Sequence, residues 1–359
     1  MKEELTINGK YFAGEALYHH CEERVNNSSF QWERDVYAFI LEWFDSKDSV
    51  IAKTSGSTGV PKEVTLSKQK MLNSAKLTGD FFGFENGQSA LLCLSANYIA
   101  GKMMIVRAFL WQLNLILVDP NGNPLESINT KVDFAAMVPL QLVNSLKSPS
   151  TLGLINNLLI GGGAVDVKLE KQIQNLTTSC FSSYGMTETV SHVAIKPLNG
   201  PNQSKYFKGL GDVTFSLDER SCLKINAPQV LSLPIVTNDV VDLIDDKQFT
   251  WLGRYDNVVN SGGIKLFPET IEAKLQNVIS APFFLAGVPD EKLGQKLVLL
   301  VENPIATEKD KLELQEKMKG LLDKFEQARY IFFIKEFIKT PNGKLKREAT
   351  LSVLNLKGS

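Results

Sequence analysis

The sequence predicts an α/β protein whose large N-terminal part is built on mainly parallel sheet flanked by helices. Between residues 91 and 182, short and fully apolar segments alternate with segments of helical periodicity, which is the pattern of parallel strands joined by crossover helices. From Gly211 to Trp251, polar and apolar residues alternate instead. That second pattern predicts a smaller antiparallel or barrel-like sheet.

Taken in order, the chain begins with a predicted extended lead-in over residues 1–30 that contains one short strand at 5–7. Apolar residues at helical spacing predict a helix over 31–46. A strand at 49–52, a loop at 54–62 and a helix over 66–82 are predicted next. Further apolar strands are predicted at 91–95, 116–118, 134–138, 158–160 and 180–182.

Three loops follow predicted parallel strands and are candidates for a ligand site: 95–101, 161–164 and 183–189. Ligands of such sheets bind outside the carboxyl ends of the strands. Beyond residue 254 the chain is compact, with a helix that starts at Pro268 and a capping box at Thr307 and Asp310. We therefore predict an N-terminal domain over 1–254 and a small α+β domain over 255–359.

Composition limits the function classes. The 359 residues suggest two domains, and the formal net charge of −1, with no basic run, gives no reason to expect nucleic acid or an anionic membrane as partner. No secretory leader or membrane-spanning segment is evident. Four scattered cysteines without CxxC spacing and only three histidines argue against a zinc site. Reduced thiols in a cytoplasmic protein are the simplest interpretation.

The loop at residues 54–62 is rich in hydroxyl groups and glycine and ends in a lysine, which favours phosphate binding through backbone N–H groups and charge. It is not a Walker A motif, because Pro61 stands where the second glycine is required. The alternative is a polar surface loop. The candidate phosphate-binding residues are Thr54, Ser55, Gly56, Ser57, Thr58, Gly59 and Lys62.

Five motifs, in the same order along the chain, resemble those of the adenylate-forming superfamily of acyl-CoA synthetases, luciferases and peptide-synthetase adenylation domains. They are residues 54–62, the segment Ser183-Tyr184-Gly185-Met186-Thr187-Glu188-Thr189, Asp239 with Gly253-Arg254-x-Asp256, Ser261-Gly262-Gly263 with 267–272, and Pro341-Asn342-Gly343-Lys344. One such motif would be a weak signal, whereas five in order are strong.

The resemblance implies two half-reactions. A carboxylate first attacks the α-phosphorus of ATP, and coenzyme A thiolate then displaces AMP, with Mg²⁺ as the metal ion. The carboxylate is already ionised at neutral pH, so no general base is needed. What is needed is positioning and neutralisation of phosphoryl charge. The implied catalytic residues are Thr58, Thr187, Glu188 and Lys344, with Glu188 as the Mg²⁺ ligand.

Further roles are implied by the resemblance. Asp239 and Arg254 would hold the ribose, Tyr184 and the adjacent Gly185 the adenine, and the backbone of Gly161, Gly162 and Gly163 would run along the nucleotide. Asp256 would be the hinge of a mobile C-terminal domain. Read alone, the charged residues would be surface charges and the glycines a flexible turn.

The acid pocket is predicted from Asn97, Tyr98, Gly101, Lys102, Arg107 and His192. Our hypothesis is that Arg107 or Lys102 pairs with the second carboxylate of an aromatic or dicarboxylic acid; the alternative is that both line a helix surface. His192 could touch the acid or only pack.

The chain departs from the family pattern in three places: Glu63 stands for glycine, Thr237-Asn238-Asp239 stands for Thr-Gly-Asp, and the N-terminal part is short. The acid pocket could therefore be more open, or completed by a second chain in a homo-oligomer. Two other functions remain open. One is a stand-alone adenylation enzyme that loads a carrier-protein thiol, and the other is a non-catalytic nucleotide-binding protein.

Overall fold

The computed structural model describes residues 2–53, 63–339 and 345–354. The strands are β1 (Glu4–Ile7), β2 (Lys10–Ala13), β3 (Ser49–Lys53), β4 (Glu63–Ser67), β5 (Ser89–Leu92), β6 (Asn114–Leu117), β7 (Val132–Met137), β8 (Ile155–Ile160), β9 (Ser179–Gly185), β10 (His192–Pro197), β11 (Phe207–Gly209), β12 (Thr214–Leu217), β13 (Cys222–Asn226), β14 (Ile235–Leu243), β15 (Gln248–Arg254), β16 (Val259–Ser261), β17 (Ile264–Leu266), β18 (Phe283–Asp290), β19 (Gly294–Glu302) and β20 (Tyr330–Ile334). The α-helices are α1 (Glu15–Asn27), α2 (Gln31–Phe44), α3 (Lys68–Phe82), α4 (Ile99–Trp111), α5 (Pro139–Ser145), α6 (Pro149–Leu152), α7 (Val167–Gln172), α8 (Pro268–Leu275), α9 (Glu308–Lys319) and α10 (Arg347–Val353), and a 3-10 helix covers Tyr255–Asn257.

The predicted α/β fold class is confirmed. The main sheet has 13 strands in the order β12-β13-β14-β15-β11-β10-β9-β8-β7-β5-β6-β1-β2. Strands β1, β6, β5, β7, β8 and β9 run parallel. From β9 to β12 every pairing is antiparallel. The antiparallel strands therefore extend the parallel ones through the β9–β10 pairing.

Helix α4 positions much of the candidate site. Its residues are apolar on nearly all sides, and residues 101–109 are all buried between α2, α3 and the sheet, as expected for a helix without a polar face. Two cations, Lys102 and Arg107, lie within this buried stretch. Because buried charges need compensation, both cations are expected to have polar or charged partners.

Two predictions about the N-terminal part were wrong. Residues 1–30 are not an extended lead-in, since they contain β2 and the helix α1. Only Leu17 and Cys21 of α1 are buried, so its mostly polar sequence lacked a visible apolar stripe. The helix predicted from residue 66 begins at Lys68, after β4, which pairs antiparallel with β3. Strands β3 and β4 therefore form a two-stranded antiparallel sheet of their own.

The C-terminal residues form a second sheet of β16 to β20, reached through the 3-10 helix Tyr255–Asn257. The predicted capping box is confirmed, since the Thr307 hydroxyl accepts from the Asp310 amide and Asp310 accepts from the Thr307 amide. Helix α8 faces the main sheet, with the Thr270 hydroxyl 2.8 Å from the Leu252 carbonyl oxygen. The domain boundary at residue 254 remains a prediction, which this change of sheet supports.

The described part of the chain contains no helix that is both long enough and apolar enough to cross a membrane. All four cysteines are buried free thiols. Burial raises the pKa of Cys21, Cys93 and Cys180 to about 12. These thiols are therefore protonated at neutral pH and poor nucleophiles.

Candidate active site

A cavity of about 1160 Å³ lies at the carboxyl ends of β7, β8 and β9, and α8 of the C-terminal part lines its other side. This is the edge at which the sequence places the ligand-binding loops. The predicted site residues that line it are Arg107, Gly161, Gly162, Gly163, Tyr184, Gly185, Thr187, Glu188 and His192. Those predicted on residues 54–62, namely Thr54, Ser55, Gly56, Ser57, Thr58, Gly59 and Lys62, and the predicted catalytic Lys344 lie outside the described residues.

The glycine run after β8 forms part of the cavity wall. Gly162 has φ of +75°, and a Cβ at Gly161 would lie 2.6 Å from the Ser183 hydroxyl oxygen. That hydroxyl donates to the Ile160 carbonyl oxygen at 3.0 Å. The positive φ favours glycine at position 162, and a side chain at position 161 would displace the Ser183 hydroxyl. The arrangement gives the cavity a backbone surface without side chains, which suits a flat nucleotide.

A buried carboxylate, Asp239, lies behind the cavity wall, where two residues that line the cavity, Tyr184 and Trp251, hold it. The Tyr184 hydroxyl donates to its Oδ2 at 2.6 Å, and Trp251 Nε1 donates to its Oδ1 at 3.1 Å. Arg254 lies opposite on β15, with 3.5 Å between its Nη1 and Oδ1. Burial, followed by the negative charge of Asp239, raises the pKa of Tyr184, so its hydroxyl remains a donor.

This network brings three predicted nucleotide-binding residues together: Tyr184, Asp239 and Arg254. The Tyr184 ring is fixed at its hydroxyl by Asp239 and packs edge-on against Phe249, with 5.1 Å between ring centroids. A ring held in this way is preorganised for stacking. Trp251, which the sequence reasoning missed, is the additional partner.

The segment between the two sheets is tied to β14 by side chains. Asn238 donates from Nδ2 to both carboxylate oxygens of Asp256, at 3.2 and 3.0 Å. Arg220 donates to Asn238 Oδ1 at 3.1 Å and lies over the Tyr255 ring, 5.0 Å from its centroid. Asn238, the residue that departs from the family pattern, therefore contacts the predicted hinge residue directly.

Arg107 forms the centre of the second part of the site. Its side chain is buried, with Nε 3.2 Å from the Thr78 hydroxyl oxygen and Nη2 3.0 Å from the Ser191 hydroxyl oxygen. Burial lowers the pKa of Arg107 to about 10, so it stays charged at neutral pH. Among the described residues, no carboxylate forms an ion pair with it; its two hydrogen-bond partners are neutral hydroxyls.

His192 is a buried neighbour of this guanidinium. Its Nε2 lies 3.2 Å from the Thr78 hydroxyl oxygen, and its Nδ1 lies 3.3 Å from that of Ser191. Burial, followed by the positive charge of Arg107, lowers the pKa of His192 well below its ordinary value. The ring is therefore neutral at pH 7, and the only fixed charge of this cluster is that of Arg107.

The other predicted acid-pocket residues do not line the cavity. Lys102 pairs with Glu42 of α2 at 3.1 Å and lies 4.1 Å from the centroid of the Phe39 ring. Asn97 donates to Asp35, and Tyr98 is 41% exposed. Of the two cations proposed to bind a second carboxylate, the structure brings Arg107 to the cavity and leaves Lys102 with a partner elsewhere.

Gly101 has a packing role that can be tested. A Cβ at this position would lie 2.3 Å from the carbonyl oxygen of Ser95, so Gly101→Ala should lower the free energy of unfolding by about 1–3 kcal/mol, as overpacking does. Urea unfolding measures this loss. The matched control is Gly320→Ala, where the nearest atom would be 3.8 Å away. Equal losses in the two variants would contradict the packing role.

A large α/β sheet with a glycine-lined cavity and a buried carboxylate at its edge defines a nucleotide-binding enzyme. The family model for AMP-binding enzymes matches residues 21–216, more than half of the chain, and the chain belongs to that family.

Relatives agree with this assignment. An AMP-forming acyl-CoA synthetase/AMP-acid ligase II-like protein from Dyadobacter fermentans is 36% identical, with 93% of this chain and 97% of that chain covered and a TM-score of 0.63. The 2-succinylbenzoate–CoA ligase of Escherichia coli is 26% identical over 87% of this chain and 70% of its own length. An O-succinylbenzoate coenzyme A synthetase from Bacillus subtilis, solved with ATP and magnesium ion, shares the fold with 19% identity and a TM-score of 0.66, over 84% of this chain and 69% of that one.

Proposed function

We propose that the protein is an AMP-forming 2-succinylbenzoate–CoA ligase. In the first step a carboxylate oxygen of 2-succinylbenzoate attacks the α-phosphorus of ATP, which releases pyrophosphate and forms the acyl-adenylate. In the second step the thiolate of coenzyme A attacks the acyl carbon, which releases AMP and forms the thioester. As a member of this enzyme class, the protein would serve menaquinone biosynthesis.

The buried guanidinium of Arg107 carries the choice of acid. A buried charge without an ion-pair partner is costly, and Arg107 lines the cavity with only hydroxyl partners among the described residues. A dicarboxylate such as 2-succinylbenzoate can place one carboxylate at the phosphate and the other against Arg107. A fatty acid would leave this charge unpaired. The name and overall coverage of the E. coli relative favour the same acid.

The nucleotide would be held by the first cluster. The carboxylate of Asp239 would accept hydrogen bonds from the ribose hydroxyls beside Arg254, the Tyr184 ring would stack on adenine, and the backbone at 161–163 would run along the base. Thr54, Ser55, Gly56, Ser57, Thr58, Gly59 and Lys62 would hold the leaving phosphates. Thr58, Thr187 and Lys344 would neutralise charge at the α-phosphate.

Magnesium fits the donor set of this wall. Glu188 is an exposed carboxylate on the cavity wall, and oxygen donors of this type suit a hard cation. When bound, Mg²⁺ supplies Lewis-acid stabilisation of the phosphoryl oxygens. In this chain, Glu188 would hold and orient the ion.

We further propose that residues 1–254 bind ATP and the acid, and that residues 255–359 form a lid that moves about Asp256. The change of sheet at the 3-10 helix and the few hydrogen bonds between the two parts support this division. The substrates ATP and coenzyme A and the four free thiols favour the cytoplasm.

A pyrophosphate-release screen tests the function. The purified protein is given ATP and magnesium with aromatic, dicarboxylic and fatty acids, with and without coenzyme A. We expect 2-succinylbenzoate to give the highest rate and a thioester product only with coenzyme A. Preference for a fatty acid would contradict the choice of acid. Product formed only with a carrier protein would favour the carrier-loading alternative, and no pyrophosphate release with any acid would favour a non-catalytic protein.

A further inference from the structure

Thr78 of α3 is a fully buried residue at the centre of the Arg107 cluster. Its hydroxyl oxygen lies 3.1 Å from the Ser74 carbonyl oxygen, 3.2 Å from Arg107 Nε and 3.2 Å from His192 Nε2. A threonine hydroxyl has one proton to donate and two lone pairs to accept. These three contacts use its full capacity.

We propose that Thr78 is a positioning residue for recognition of the second carboxylate of the acid. It holds the guanidinium of Arg107 in place and fixes His192 as the neutral tautomer with its proton on Nε2. The role in recognising the acid rests on the proposed function. The position of the proton on His192 rests on the hydrogen-bond geometry alone.

The direction of each hydrogen bond follows from the Ser74 carbonyl, which can only accept. Thr78 therefore donates to it, and Arg107 Nε and His192 Nε2 both donate to Thr78. His192 Nδ1 then has no proton and accepts from the Ser191 hydroxyl. The Ser191 oxygen in turn accepts from Arg107 Nη2 at 3.0 Å. This assignment satisfies all five contacts.

The opposite tautomer of His192 satisfies fewer of these five contacts. With the proton on Nδ1, Thr78 would have to donate to Nε2, and the contact with the Ser74 carbonyl would be lost. Ser191 would receive protons from both Arg107 and His192, and its own proton would find no acceptor among the described residues. Buried polar groups are rarely left unpaired, so the Nε2–H form is favoured.

The network also orients the guanidinium. Thr78 holds Nε and Ser191 holds one N–H of Nη2, which leaves Nη1 without a hydrogen-bond partner in the described residues. Guanidinium N–H groups in a fixed plane match a carboxylate in two parallel hydrogen bonds. Thr78 does not line the cavity, so it acts through Arg107 and not by touching the acid.

The test compares Thr78→Val, which keeps the shape and removes the hydroxyl, with Thr78→Ser, which keeps it. We expect Thr78→Val to raise the KM for 2-succinylbenzoate roughly tenfold or more, since hydrogen bonds to charged groups have this effect. The KM for ATP should not change, nor that for an analogue in which hydrogen replaces the non-activated carboxylate. Thr78→Ser should behave as the wild type. An equal rise for both acids would show a general structural role and overturn the proposal.

Nitrogen-15 NMR of the imidazoles tests the proton assignment without substrate. The chain has three histidines, so the spectrum of His192→Gln identifies the His192 signals. We expect a neutral Nε2–H ring in the wild type and in Thr78→Ser, and a shift towards Nδ1–H in Thr78→Val. A neutral Nδ1–H ring or a charged ring in the wild type would overturn the assignment. If the wild type did not activate 2-succinylbenzoate, the proposed function would fail while this measurement still decided the role of Thr78 in the network.

Discussion

Replacing Arg107 with alanine is expected to raise the KM for 2-succinylbenzoate by at least about 30-fold. Truncating one partner of a buried, hydrogen-bonded charge pair costs about 2–5 kcal/mol, most of it from the charge left unpaired. Here the unpaired charge would be the second carboxylate of the acid, at a place in the cavity wall where the described polar neighbours of Arg107 are the Ser191 hydroxyl and the neutral His192 ring. The KM for ATP should stay within about twofold, because Asp239 and Tyr184 belong to a separate hydrogen-bond network. Initial rates of pyrophosphate release at varied acid and saturating ATP measure the first constant, and rates at varied ATP and saturating acid measure the second.

The matched control is Lys102→Met. Lys102 is a buried cation on the same helix, but it pairs with Glu42 and does not line the cavity. Its loss should leave the KM for the acid unchanged. An Arg107→Ala enzyme with the wild-type KM would contradict the proposed pairing, and a raised KM in Lys102→Met alone would assign the second carboxylate to Lys102.

Replacing Lys344 with alanine is expected to slow formation of the acyl-adenylate by about 100- to 1000-fold, the usual effect of removing one preorganised group that stabilises developing charge. Transfer of the acyl group from presynthesised adenylate to coenzyme A should keep nearly the wild-type rate, because no phosphoryl charge develops in that step. Single-turnover assays of the two half-reactions measure the two rates separately. The residues that flank 340–344 are held by the C-terminal part: Arg347 forms a two-point ion pair with Glu272 of α8 at 2.7 and 2.8 Å and donates to the Leu285 carbonyl oxygen of β18 at 3.0 Å. The substitution should therefore leave the fold of the C-terminal part unchanged.

Lys346→Ala serves as the control for this experiment, because it removes a lysine two residues further along the same segment. Both half-reactions should proceed at the wild-type rate in that variant. Equal loss of both steps in Lys344→Ala would argue against a role confined to adenylate formation.

Local patterns were sufficient to predict most of the parallel sheet and the edge at which the cavity lies. The apolar segments that form β5, β7 and β8 are mostly buried, so their composition alone identified them. Helix α1 was missed because only two of its residues are buried. Strand β4 was missed because it is only five residues long, is partly polar and runs directly into a strong helical pattern.

The residues of the candidate site likewise include some that the sequence identified and some that it did not. Motif residues such as Tyr184 and Asp239 could be found in the sequence, and the structure brings them within hydrogen-bond distance. Thr78 could not be found, because in sequence it is one more residue on the inner face of a helix. Its partners Arg107 and His192 lie 29 and 114 positions away. The choice between Lys102 and Arg107 likewise depended on Glu42, whose position relative to α4 no local pattern encodes.

The place of β1 in the main sheet has a consequence for biosynthesis. Thr6 of β1 pairs in parallel with Asn114 of β6, more than one hundred residues later. At about 5–20 residues per second, a ribosome would add this length in roughly 5–20 s. Throughout that interval the edge of β1 that pairs with β6 has no partner, and its buried residues Leu5 and Ile7 lack the cover of α4. Until α4 and β6 have been made, β1 therefore has an open edge on that side, and an unpaired strand edge is a site at which chains can aggregate.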